Sequence, residues 1–297
     1  MPVRLDLNPV LERPELRETL EREIVRAKID INIALNVIRE LVNTVYYLND
    51  KDLNDREFSL YIWSLLDSYF VLGDSSIYER VNELLDQRKI DHDALYILKL
   101  YDMTKNLELI YKAKRKIFGI KEFWAEDLLA LAKLSYTLKD SSILSEAVKV
   151  LLGELEKIEK RGGIQNINDI EIMMASIKGL GQLMLNYKKD NSAVEKIRYY
   201  DDKYLVPMFE IINGRPNVPE NLDMLQTVAI IACSKNGVVF AVTGDPKYLS
   251  GTLRLYKWYL DQVINGGITK MSVRQRIWGA MMLSKVTYFI QERRFLE

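Results

Sequence analysis

Five times along this chain an aromatic residue is followed, three to five positions later, by Asp or Asn and then by a fresh run of helical spacing. The stretches are YFVLGDSSIY (69–78), YDMTKNLELIY (101–111), YTLKDSSIL (136–144), YKKDNSAV (187–194) and FAVTGDPKYL (240–249). Asp or Asn at such a point accepts hydrogen bonds from the unpaired N–H groups of a first helical turn. In the last stretch Gly244 suits the end of one helix, and Pro246 after Asp245 already has a helical φ and lacks the N–H. A chain punctuated this way is expected to fold as successive helical hairpins, and no segment shows the two-residue alternation of a strand.

The apolar spacing places about twelve helices, near 15–48, 55–72, 75–88, 93–104, 106–118, 123–138, 141–160, 169–187, 192–212, 221–242, 246–264 and 272–292. The first carries a heptad-like stripe (Ile24, Ala27, Ile31, Ala34, Ile38, Leu41, Val45, Leu48), which suits a long packing helix or a dimer surface. Asn54 with Glu57, Ser192 with Glu195 and Ser272 with Gln275 fit capping boxes. Arg161, Asn213 and Asn265 recur at 52 residues, as do Glu171, Asp223 and Gln275 at the following helix starts. A period of this size marks a repeat architecture. In the N-terminal half it shortens to 32 (Asp74 to Asn106) and 34 (Asn106 to Asp140).

The 297 residues suffice for a large core, and 48% hydrophobic with 28% charged residues describes a folded chain. Lys+Arg and Asp+Glu each total 42, which speaks against a dedicated nucleic-acid binder. The lone Cys233 forms no internal disulfide, the first sixteen residues lack the apolar core of a signal peptide, and no run suffices for a membrane span. A cytoplasmic protein with no membrane contact is expected. Plentiful Tyr, Ile, Lys and Glu lean toward a thermophile's composition. The reading is one all-α domain over 1–297, an array of about six α/α hairpins arranged as a closed toroid or a curved superhelix, with the toroid favoured.

SYFVLGDSSIYERVNELL resembles a tetratricopeptide unit in its aromatic residue, Leu-Gly-Asp turn and amphipathic second helix. In the C-terminal half AVTGDPKYL resembles the turns that join outer and inner helices in the six-hairpin (α/α toroid) glycosidase superfamily. The second resemblance implies a central funnel lined by carboxylates or histidines. With one histidine, the chain departs from the epimerase branch of that superfamily.

In a toroid the helix starts would share one rim, which makes Glu126, Asp127, Glu171 and Asp223 the candidate acid and base residues. The helix dipole alone also favours Asp and Glu in a first turn. Trp124, Trp278, Arg274 and Arg276 are the candidate ligand-binding residues, since Trp beside charge offers a flat apolar face to a sugar or peptide. Trp63 and Trp258 belong to the same consideration, with core packing as the competing role. His92, between Asp91 and Asp93, lacks the further ligands a metal needs, so no metal and no cofactor are expected. YKAKRKIFGIK (111–121) is the densest basic run; it suits phosphates and stacked bases, and equally a solvated helix C-terminus. Two functions follow. The first is a helical-repeat scaffold holding a protein or peptide on a concave surface, with a homodimer through helix 15–48 as an option. The alternative is a carbohydrate-active enzyme of the six-hairpin type using the rim carboxylates.

Overall fold

The computed structural model describes residues 13–186, 190–235 and 237–293. Among them are fourteen α-helices: α1 (Pro14–Ala27), α2 (Ile31–Tyr46), α3 (Asp55–Leu72), α4 (Ser75–Gln87), α5 (Ala94–Thr104), α6 (Leu107–Ile117), α7 (Ala125–Leu138), α8 (Ser141–Lys160), α9 (Ile167–Asn186), α10 (Asn191–Tyr200), α11 (Met224–Lys235), α12 (Val238–Thr243), α13 (Pro246–Gly266) and α14 (Val273–Glu292). The protein is all-α, apart from a two-residue antiparallel ladder, β1 (Ile211–Ile212) with β2 (Arg215–Pro216), in which Ile211 faces Pro216.

Two kinds of helix alternate along the chain from α2. Helices α3, α5, α7, α9, α11 and α14 are buried over most of their circumference, as a helix apolar on all sides must be. Helices α2, α4, α6, α8, α10 and α13 bury one stripe and expose the opposite face. Among the buried set, α5 packs on α7, α7 on α9, α9 on α11, α11 on α14, and α14 on α3. Side-chain bonds from Lys99 to Asp67 and from Tyr96 to Ser59 join α5 to α3. One continuous apolar cluster runs through all of them.

The recurring turn joins a buried helix to the exposed helix after it. At Gly73, Lys105, Lys139 and Gly244 the chain enters the left-handed region (φ 67, 56, 53 and 73°). The next residue (Asp74, Asn106, Asp140 or Asp245) caps the following helix through its side chain. Asp190 caps α10 in the same way, while residues 187–189 of that copy lie outside the described residues. Asp190, by accepting from Ser192 N, makes Ser192 a first-turn residue, so the expected box of Ser192 with Glu195 is replaced by an Asp cap. The boxes at Asn54 and Ser272 are formed.

Three expected helices are broken. The single helix over 15–48 is α1 and α2: Lys28 turns left-handed (φ 50°), and Asp30 accepts from Asn32 N and Ile33 N to start anew. Its stripe residues Ala34, Ile38, Leu41 and Val45 are buried against the rest of the molecule, and Ile24, Ala27, Ile31 and Leu48 are partly buried against the same core. The helix over 221–242 is interrupted before Gly237 (φ 91°), where the Phe289 ring fills the space a side chain would take. The helix over 192–212 stops at Tyr200, passes through a π-turn (Asp201–Leu205) and a 3₁₀ turn (Val206–Phe209), and gives way to the ladder. Pro207 removes a donor there, and Asn213-Gly214, both at positive φ (52 and 78°), form the tight turn between β1 and β2.

Candidate functional site

At the end opposite the Asp/Asn turns, the N-terminal ends of all six buried helices are tied together by polar side chains. Gln275 Nε2 at the start of α14 donates to Asp223 Oδ2 at the start of α11 (2.8 Å). Asn221, just ahead of α11, donates to the Gln165 carbonyl ahead of α9 (3.2 Å). Arg274 of α14 lies 3.6 Å from Glu57 of α3, and Arg56 of α3 pairs with Glu171 of α9. Ser59, one turn further into α3, donates to Glu126 Oε1 of α7 (2.8 Å) and contacts the Tyr96 hydroxyl of α5. His92, ahead of α5, completes the set with Nδ1 at 2.5 Å from Asp127 Oδ2 of α7.

Three of the four candidate carboxylates thus gather around Arg56, whose charge acts on Glu126, Asp127 and Glu171 together. Glu126 and Glu171 are each 1% exposed. Burial and the Asp127 charge push the Glu126 carboxyl up to about 7. Burial also raises Glu171, against the lowering charges of Arg56 and Arg274. Asp127 is raised by burial, opposed by its bond to His92. Burial pulls His92 down, but the hydrogen bond and charge of Asp127 outweigh it and raise the imidazole. The imidazole lies flat on the Trp124 indole, with ring centres 3.6 Å apart.

The remaining candidates stand differently. Asp223 uses Oδ1 to cap α11 at Gln226 N (2.8 Å) and Oδ2 to hold Gln275, so both oxygens are engaged in structure. Asp127 has a capping duty too, accepting from Trp124 N at 2.8 Å. Arg276 turns back to the Met271 carbonyl (3.0 Å). Trp278 is fully buried beside Glu171, its ring edge-on to Trp63 at 6.1 Å. The 52-residue interval does not mark one depth: Asp223 is a cap, Gln275 the third residue of α14 and Glu171 the fifth of α9.

A cavity of about 370 Å³ opens here between the starts of α3, α9, α11 and α14, lined by Arg56, Glu171, Arg274, Asn166, Asn168 and Asn221 among others. Arg56 Nε, Arg274 Nε and Glu171 Oε1 are buried at its wall with no hydrogen bond to another protein group, as are Glu126 Oε2 and Asp127 Oδ1 behind them. Buried polar atoms of this kind call for water or a ligand. Arg56, Ser59 and Tyr96 were absent from the sequence reading. Arg56 stands two residues into a capping box, but only the packing of α3 near α9 brings it to Glu171.

Deeper along the buried helices lies a second polar group. Asp67 of α3 accepts from Lys99 of α5 (2.7 Å) and Lys285 of α14 (2.8 Å), and Lys133 of α7 pairs with Asp102 of α5 (2.6 Å). Burial brings Lys285 down to about 8 and pushes the Cys233 thiol up to about 11, so Cys233 is a buried thiol without nucleophilic character. Among the described residues, no three His, Cys, Asp or Glu side chains stand together as a metal site requires, and no helix is long and apolar enough to cross a membrane. No protein-family model, curated protein sequence or solved structure matches this chain.

Proposed function

We propose that the six buried helices form the inner ring of a closed α/α toroid, and that the cavity at their N-terminal ends is the active site of an acid–base enzyme acting on a neutral, polyhydroxylated substrate such as an oligosaccharide. The observation that carries this reading is the cavity wall of Arg56, Glu171 and Arg274, in which Arg56 Nε and Glu171 Oε1 are buried without a hydrogen bond and Arg274 Nε has only the Glu57 carboxylate, at 3.6 Å. A wall that mixes guanidinium donors with a carboxylate acceptor suits vicinal hydroxyl groups. Wall charge is balanced, since Glu171 and Glu57 offset Arg56 and Arg274, which suits an uncharged ligand.

Two carboxyls in unlike surroundings divide the roles of acid and base. Glu126, half protonated at neutrality because burial and Asp127 raise its carboxyl to about 7, supplies the acid. Glu171, beside two arginines, supplies the base. His92 and Asp127 form a second proton-holding pair next to Glu126. The resemblance to six-hairpin glycosidases in the C-terminal turns agrees with this assignment.

A panel of neutral oligosaccharides and aryl glycosides, read by thermal shift and by release of reducing ends, tests the proposal. Binding and turnover should be lost in Glu171→Gln, turnover alone in Glu126→Gln, and both retained in Asp245→Ala. A panel without a single binder, or binding and turnover indifferent to both Glu variants, sinks it.

A further inference from the structure

The basic, aromatic run at 111–121 takes no part in the cavity. It belongs to α6, which buries Ile110, Ala113 and Ile117 against the neighbouring helices. On the adjacent exposed face Leu107, Tyr111 and, just past the helix end, Phe118 are 62, 63 and 50% exposed. Their spacing of four and then seven residues keeps all three on one side over three turns, about 16 Å. Between Tyr111 and Phe118 the stems of Lys114 and Arg115 complete a shallow cavity of about 620 Å³. Lys112 adds a further exposed cation, whereas Glu108 is the only acid within the helix. The chain as a whole is neutral, so this local excess of positive charge is specific to the face.

We propose that the exposed face of α6 docks an acidic amphipathic helix of a partner protein. Three apolar side chains at i, i+4 and i+11 make a stripe over three turns, long enough to meet the apolar face of a helix laid along it. Tyr, Phe and Arg are the residue types that interfaces favour, and cations flanking an apolar stripe select a partner with acidic flanks. A nucleic-acid strand fits less well: Tyr111 and Phe118 are two turns, about 10 Å, apart, farther than successive stacked bases. Lys116, a further cation of the run, is engaged with the Ile90 carbonyl (2.9 Å) and Asp93 (3.4 Å) and supports the fold. A lipid surface fits less well too, because the rings line a cavity with the Lys114 and Arg115 stems and do not stand alone as insertion points.

The test uses two labelled peptides of roughly 16 residues with one leucine stripe, flanked by glutamates in one and lysines in the other, read by fluorescence anisotropy on the full chain. The glutamate-flanked peptide should bind about tenfold or more tightly than its counterpart, and Tyr111→Ser with Phe118→Ser should weaken it by a similar factor. Lys114→Glu with Arg115→Glu should reverse the preference. Both double variants lie on the surface, and their melting curves, expected to match the parent's, report that they fold. Equal affinity for the two peptides, no binding by either at about 1 mM, or indifference to both double variants overturns the proposal. Variant-sensitive binding to oligo(dT) or to phosphatidylglycerol vesicles in place of the acidic peptide overturns it as well.

Discussion

Arg56, in the first turn of α3, and Glu171, in the second turn of α9, form an ion pair between helices that share no extended packing. Glu171 is 1% exposed, so its charge depends on the guanidinium for compensation. Arg56→Met leaves a buried carboxylate with only Arg274 nearby and should cost about 3 kcal/mol, while Arg56→Met with Glu171→Leu should recover most of the loss. Urea unfolding of the two singles and the double closes the cycle. A cost below about 1 kcal/mol for Arg56→Met means the pair does not hold this end of the fold.

The Glu126 carboxyl titrates at about 7 in the fold and at 4.5 in an open chain. Between those values the folded state keeps a proton that the unfolded state has released. Its contribution is therefore full below pH 4.5 and is lost as pH rises through 7, by up to about 3 kcal/mol. Glu126→Gln keeps an acceptor for Ser59 and should flatten this part of the curve. Chemical denaturation at pH 5 and pH 8, on parent and variant, reads the difference.

His92 is the only histidine of the chain, so its ring resonances report one site. The titration midpoint should lie above 6.5, because the bond to Asp127 outweighs burial. Asp127→Asn removes that charge and leaves the burial and the weaker charges of Glu126 and Asp91, so the midpoint should fall. An unchanged midpoint would separate His92 from Asp127 in solution.

Lys285 has the opposite sign. Burial lowers its ammonium to about 8, from 10.5 in an open chain. Between those values the unfolded state binds the extra proton, so stability should rise with pH from about 8 toward 10. Lys285→Met should remove part of this rise, measured by denaturant midpoints at pH 8 and pH 9.5.

The recurring turns make a further pair of tests. Asp245→Ala removes the cap on Lys247 N and should cost about 0.5–2 kcal/mol. Lys139 holds a left-handed φ of 53° that Gly73 and Gly244 adopt without a Cβ. Lys139→Gly should therefore stabilise by about 0.5–1 kcal/mol, the strain relieved exceeding the chain entropy gained on unfolding. Thermal melts of both variants decide the signs.

Helix type and most helix limits were legible because each limit is chemically local. An Asp or Asn cap acts on N–H groups two or three residues away, as at Asp74, Asp140 and Asp245. Asn213-Gly214 is itself a strong local hairpin signal, and it forms the tight turn between β1 and β2. At Lys28 the left-handed lysine carries no mark in sequence, and the Asp30 cap that follows it sits inside an unbroken apolar stripe that reads as one helix. The 52-residue interval pointed to the right end of the helices and to the wrong register, since loops of unequal length place Glu171 and Asp223 at different depths.

By itself the sequence determined an all-α chain, its alternation of helices and capped turns, and the clustering of acids at helix starts, because periodicity and capping act within a few residues. Tertiary structure alone decided which acid lines the cavity and which stand behind it. It set Glu171 against Arg56 across 115 residues, joined Asp127 to the only imidazole, and kept Asp223 as a cap. Those contacts come from how the helices pack, and the charges and proton affinities of the carboxyls come from the burial that this packing imposes.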